Sequence, residues 1–252
     1  MNKQLRVSEV FYSVQGEGPT MGVPAVFLRL TGCNLMCGGR GTEKDGELHD
    51  GATWRCDTIE VWLKGQAHNP QEYAIQMADD YGEEFRNGAH LVITGGEPML
   101  QQKQLIPFIN LLQSKFSKKI WIEVETNGTV EIDSNFMSLV DQFNVSPKLG
   151  NSGMPERLRI KNLPMIQLSA LSEMDRAFFK FVVTSEKDIE EVLKDYINVF
   201  GFPRRNIWIM PGCSTRAQFE QTAPIAAEVC KQHGFKFSSR LQINLWNEVT
   251  GV

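Results

Sequence analysis

The stretch "PAVFLRLTGCNLMC" (24–37) decides how the chain is read. Its first seven residues are apolar apart from Arg29 and read as a buried strand. The strand runs into Gly32, and Cys33 and Cys37 follow at once. The same order recurs downstream. "HLVIT" (90–94) ends in "GGEP", "KIWIEV" (119–124) in "ETNGT", and "FNVS" (143–146) in "PK". Further strands are expected at 178–184, 207–210 and 235–243. Helical spacing of apolar residues marks 71–85, 102–116 and 185–200, the last with Ser185 as N-cap. A helix over 217–234 is expected to be interrupted at Pro224. Alternating strands and helices imply an α/β fold with a parallel sheet and helices outside it. About six strands suit an open or partial barrel of (β/α)6 type better than a closed eight-stranded one. In such folds reactive groups gather just beyond the carboxyl ends of the strands. The clusters named above all fall there. No linker divides the chain, so residues 1–252 are expected to form a single domain.

Composition narrows the function classes. The 26 basic and 30 acidic residues leave a net charge of −4, which gives no electrostatic footprint for nucleic acid. No run reaches the length of a membrane span, and "MNKQLRVSEVFYSV" has no apolar core of a secretory signal. The expected location is the cytoplasm. There thiols stay reduced, and clustered cysteines point to metal or catalysis before disulfides. No Gly-x4-Gly-Lys-Ser/Thr loop is present, which argues against a nucleoside triphosphatase.

Three of the five cysteines are Cys33, Cys37 and Cys56, and eighteen residues separate the last two. Three thiolates can hold three irons of a [4Fe–4S] cluster and leave the fourth open. A zinc site of Cys33, Cys37, His49 and Cys56 is chemically sound too, and so is a packing role for the free thiols. The intervening segment is rich in Gly, Asp and Glu and has the composition of an exposed loop. Cys213 and Cys230 read as structural. Arg29 in so apolar a strand needs a partner if it points inward, and a ligand carboxylate would pair with it in bidentate fashion. Gly95 and Gly96 would let backbone approach a ligand, with Glu97 reinforcing the contact, or "GGEP" is a plain turn. "QGEGPTMG" (15–22) is either an entry loop or a clamp over a planar polar ligand. Thr58 could offer a hydroxyl to a hard cation.

The runs "FYSVQGEGPTMGVPAVFLRLTGCNLMC", "CDT", "VITGGEP", "ETNGT", "VSPK" and "RLQINLWNEVTGV" together resemble the 7-carboxy-7-deazaguanine synthases, radical S-adenosylmethionine enzymes of queuosine biosynthesis. The family carries a C-x3-C-x2-C motif. Here eighteen residues stand in place of the last two, an insertion in the cluster loop at about 38–55.

The resemblance implies a lyase that converts 6-carboxy-5,6,7,8-tetrahydropterin to 7-carboxy-7-deazaguanine with loss of ammonia. Cys33, Cys37 and Cys56 would hold a [4Fe–4S] cluster whose open iron binds S-adenosylmethionine. Reductive cleavage would give the radical that takes a hydrogen from the substrate. Arg55, Asp57, Gly96, Glu97, Ser146, Pro147, Lys148, Met210, Pro211, Gly212 and Cys213 would bind S-adenosylmethionine. Val14, Gln15, Gly16, Arg29, Thr94, Glu125 and Val252 would bind the pterin, and Thr58 would ligate Mg²⁺. An electron donor such as flavodoxin and a homodimer are implied as partners, with no nucleic acid and no membrane. Two other readings compete: a glycyl-radical activase sharing the cluster, and a zinc-stabilised binding module.

Overall fold

The computed structural model describes residues 4–43, 46–249 and 251. Among the described residues nine strands form one sheet: β1 (Leu5–Val14), β2 (Pro24–Leu30), β3 (Gln66–His68), β4 (His90–Gly95), β5 (Ile122–Thr126), β6 (Gln142–Val145), β7 (Ala177–Val183), β8 (Ile207–Pro211) and β9 (Lys236–Phe237). Their order is β3-β1-β2-β4-β5-β6-β7-β8-β9. Pairing is parallel from β2 through to β9. Among the described strands β1 alone runs in the opposite direction, antiparallel to both of its neighbours, β2 and β3. The sheet curls. Glu17, just past β1, reaches Lys180 on β7 at 3.0 Å, although four strands lie between β1 and β7 in the sheet order. This is the partial barrel expected from the strand count.

Strand parity builds the two faces. Val26, Leu28 and Leu30 of β2 join the apolar core with Ile122 and Val124, Phe143 and Val145, and Phe179 and Phe181. The alternate residues face inward. Phe27 and Arg29 line the internal cavity, and Glu123, Asn144 and Lys180 are buried polar groups. Parallel strands covered on both faces ordinarily read as continuous apolar runs. Here the inner face is polar instead, and that is where the site lies.

Several sequence expectations need correction. The strand expected over 235–243 is only Lys236–Phe237, and Leu241–Trp246 is a helix. Ser238 N–H still donates to Ile209 O at 2.9 Å, after which Arg240 turns away toward Glu17 and Asp57. The helix Arg216–His233 runs through Pro224 without a break, its start fixed by the Thr215–Gln218 capping box. The 71–85 pattern divides into Pro70–Asp80 and Gly82–Arg86 at the non-helical Tyr81. Ser185 is an N-cap as expected, with Asp188 accepting from its N–H at 2.8 Å. The antiparallel strand β1, the edge strand β3 and the helix Asn162–Glu173 were not expected. No helix among the described residues is long and apolar enough to cross a membrane.

Candidate active site

One cavity of about 330 Å³ opens at the carboxyl ends of the parallel strands. Cys33, Cys37 and Cys56 all line it. Cys33 and Cys37 follow β2, and Cys56 returns to them through the inserted segment. The segment closes on itself: His49 N–H donates to Gly38 O at 2.9 Å and Cys56 N–H to Cys37 O at 3.1 Å. Its far half docks on the loop after β6. Thr53 N–H donates to Asn151 O at 2.8 Å, and Trp54 Nε1 to Asn151 Oδ1 at 2.8 Å. Residues 46–51 stay exposed, as the composition suggested.

The donor set fits an iron–sulfur cluster. Burial pushes the Cys33 thiol up to about 11 and the Cys37 thiol up to about 12, so ligation must displace protons that burial holds on both sulfurs. Hydrogen-bonding groups lie beside two of the three sulfurs, where they would tune a bound cluster. Leu35 N–H lies 3.4 Å from Cys33 Sγ, and Thr58 Oγ1 3.4 Å from Cys56 Sγ. Among the described residues no three His, Cys, Asp or Glu side chains converge on a single ion. His49 is not in the cavity wall, and its Nδ1 sits 2.9 Å from Arg40 O. The four-ligand zinc arrangement is therefore not formed, whereas a cluster several ångströms across takes more widely spaced thiols.

The remaining candidates fall on the same cavity with three exceptions. Arg55, Asp57, Thr58, Gly96, Ser146, Lys148 and Met210 through Cys213 line it, as do Val14, Gln15, Gly16, Arg29, Thr94 and Glu125. Glu97 and Pro147 do not line it, and Val252 lies outside the described residues. Glu97 is wholly buried behind the wall. Its carboxylate accepts from Asn127 N–H at 2.7 Å, Thr126 Oγ1 at 2.8 Å and Met99 N–H at 3.0 Å, and burial raises its pKa against those donors. It ties the end of β4 to the end of β5. Gly96 packs where a Cβ would meet Gly32 O at 2.1 Å, so backbone of the β4 turn abuts the cysteine loop directly. Lys148 Nζ donates to Ser146 Oγ at 2.8 Å.

Two expected contacts are partly occupied from within. Arg29 Nε already donates to Glu9 Oε1 at 2.7 Å, and its guanidinium lies 5.6 Å from the Phe11 ring centroid. Its terminal nitrogens have no partner among the described residues and remain for a ligand carboxylate. Backbone groups of the 15–22 loop are already engaged by protein: Gly22 N–H donates to Gln15 O within the loop, and Leu241 N–H from the C-terminal helix donates to Gly16 O.

Sequence reasoning missed the polar network beneath the cavity. Gln15 Nε2 and Asn144 Nδ2 each donate to both Glu123 and Glu125, at 2.8–3.3 Å. His90 Nδ1 lies 2.6 Å from Glu123 Oε1. Lys180 joins Glu125 to Glu17. Arg240 bridges Glu17 at 3.1 Å and Asp57 at 2.6 Å, and also donates to Cys213 O. It thereby links the entry loop, the residue after Cys56, and the loop after β8. A signal was available: "IEVET", "QFNV" and "FKF" each place polar residues at every second position of otherwise apolar strands.

Comparison with known proteins agrees with this geometry. Residues 14–162 match the 4Fe-4S single cluster domain family, a span that includes all three cysteines. The chain is 30% identical to a 7-carboxy-7-deazaguanine synthase of Hyperthermus butylicus, over 96% of this chain and 93% of that one. It is 28% identical to proteins of the same name from Pyrobaculum aerophilum, over 98% and 97% of the two chains, and Halobacterium salinarum, over 97% and 91%. The crystal structure of QueE from Escherichia coli shares the fold, with a TM-score of 0.60 at 24% identity over 94% of each chain. The chain thus belongs to the 7-carboxy-7-deazaguanine synthase family of radical S-adenosylmethionine enzymes.

Proposed function

We infer that this chain converts 6-carboxy-5,6,7,8-tetrahydropterin to 7-carboxy-7-deazaguanine with loss of ammonia, within queuosine biosynthesis. One observation carries the reading: the three cysteines and Arg29 line the same cavity beyond the β2 carboxyl end. When bound, the [4Fe–4S] cluster and S-adenosylmethionine supply one-electron chemistry that starts the reaction by hydrogen abstraction. Cys33, Cys37 and Cys56 hold the cluster. Gly96, Ser146, Lys148 and the Met210–Cys213 turn bind S-adenosylmethionine along the strand ends, with Arg55 and Asp57 beside Cys56. Arg29 takes the pterin carboxylate through its terminal nitrogens while Glu9 fixes Nε. Thr94, the register partner of Arg29 across β2 and β4, adds a hydroxyl on the same side. Glu125 accepts N–H bonds from the ring, and Val14, Gln15 and Gly16 shape the wall that excludes water.

Thr58, in the cavity wall, would offer its hydroxyl to a Mg²⁺, which would supply positive charge near the substrate carboxylate. A single protein hydroxyl with substrate oxygens and waters is the sparse ligand set this ion accepts. The protein acts as one domain, with 38–55 as an insertion that closes the cluster loop. It works in the cytoplasm as a homodimer fed by a flavodoxin-type donor. The test is anaerobic iron and sulfide analysis with a titration of the pterin. About four irons per chain and saturable pterin binding support the reading, and a chain that binds neither contradicts it.

A further inference from the structure

Lys180 lies just behind the cavity wall, between two carboxylates that belong to that wall. Its Nζ donates to Glu125 Oε2 at 2.8 Å and to Glu17 Oε2 at 3.0 Å. Its side chain is 2% exposed, and it does not itself line the cavity. The position is fixed from every side. On β7 its neighbours Phe179 and Phe181 are anchored in the outer core. Above it the entry loop passes close enough that a Cβ on Gly18 would come within 3.3 Å of Lys180 Cδ.

The charges around it form a closed set. Glu125 is on β5, next to Glu123 with its His90 partner. Glu17 is on the entry loop and also faces Arg240, which reaches on to Asp57. Two buried carboxylates beside one another cannot both stay ionised without a cation between them. Burial resists ionisation of Glu17, yet Lys180 and Arg240 hold it down to about 2. Glu125 shares only Lys180, and burial keeps its pKa raised, with Glu17 and Glu123 adding to the effect. Burial would lower the Lys180 pKa, but Glu125 and Glu17 together raise it, so it remains an ammonium. Each Oε2 keeps acceptor capacity after its bond to Lys180.

We propose that Lys180 is a positioning residue for the pterin: it holds Glu17 and Glu125 together as a pair of acceptors facing the N–H-bearing edge of the ring. The assignment rests on the reading under Proposed function and separates ring recognition from S-adenosylmethionine binding. Removal of the ammonium leaves Glu125 free to take up a proton and present an O–H where an acceptor is needed.

The test is Lys180→Met in the anaerobically reconstituted protein, with binding of the carboxy-tetrahydropterin and of S-adenosylmethionine titrated separately. The expected result is weaker pterin binding, on the order of tenfold or more for the loss of charge-assisted acceptors, with S-adenosylmethionine affinity and cluster absorbance unchanged. The variant's kcat/KM for the pterin should rise with pH as Glu125 re-ionises, a slope that Lys180→Arg should not show. Equal losses for both ligands, or pterin binding that stays at the wild-type value, would overturn the proposal. Where the Met variant does not fold, Lys180→Gln, which also removes the charge, carries the test. A raised pterin KM with an unchanged S-adenosylmethionine KM supports the proposal, and equal changes overturn it. Wild-type protein that does not bind the pterin at all overturns the functional reading first, and this proposal with it.

Discussion

The backbone N–H of Cys56 donates to the carbonyl of Cys37 at 3.1 Å, so the inserted segment leaves and re-enters the cluster loop at one point. The third thiol is brought to the other two by backbone, whatever the length of the loop between them. Closing a longer loop adds little entropy cost. Replacing residues 41–48 with a short glycine–serine bridge should therefore leave iron content unchanged. Trp54→Ala, which removes the bond to Asn151 and the apolar packing beside the cysteines, should lower it. Iron analysis after identical reconstitution decides between the two.

Arg29 has a protein partner in Glu9 and is still placed to meet a ligand. Arg29→Ala should raise the pterin KM by about a hundredfold, as loss of a bidentate carboxylate contact does, with little change in that of S-adenosylmethionine. Glu9→Gln should change the same KM far less, because the amide still accepts from Nε. Steady-state kinetics with each ligand varied in turn supply the comparison.

Thr58 touches Cys56 Sγ through its hydroxyl. Thr58→Val keeps the shape and removes the oxygen. It should abolish stimulation by Mg²⁺ while the cluster absorbance survives. Normal stimulation of the variant would place the ion elsewhere.

Glu17 makes a pH-dependent contribution to stability. Its folded pKa, about 2, lies below the ordinary 4.5. The stabilisation is fully present above pH 4.5 and is lost as pH falls toward 2, on the order of 3 kcal/mol in all. Glu97 and Glu125 shift in the opposite direction and oppose this trend. The difference in unfolding free energy between wild type and Glu17→Gln isolates it. That difference should be constant above pH 4.5 and shrink below it.

The strand ends that carry Cys33, Thr94 to Gly96, Glu125 and Ser146 to Lys148 were legible because apolar runs stop there and polar motifs begin. β1 was not, because its alternation breaks at a register shift between Val7 and Glu9. The tail misled for a different reason. "FKFSSRLQI" alternates like a strand, but the pull of Glu17 and Asp57 on Arg240 takes the chain out of the sheet. Glu123, Asn144 and Lys180 each look like a solvent-facing strand residue in isolation. Only the curl of the sheet turns their shared face inward, and that curl depends on contacts between residues more than a hundred positions apart, such as Lys180 with Glu17.

The most direct test is a mass spectrum of the reaction product. The reconstituted protein would be incubated anaerobically with a reductant, S-adenosylmethionine and 6-carboxy-5,6,7,8-tetrahydropterin. The account predicts 7-carboxy-7-deazaguanine, formed only when S-adenosylmethionine is present. A protein that binds its cluster and cleaves S-adenosylmethionine yet leaves the pterin unchanged would contradict it.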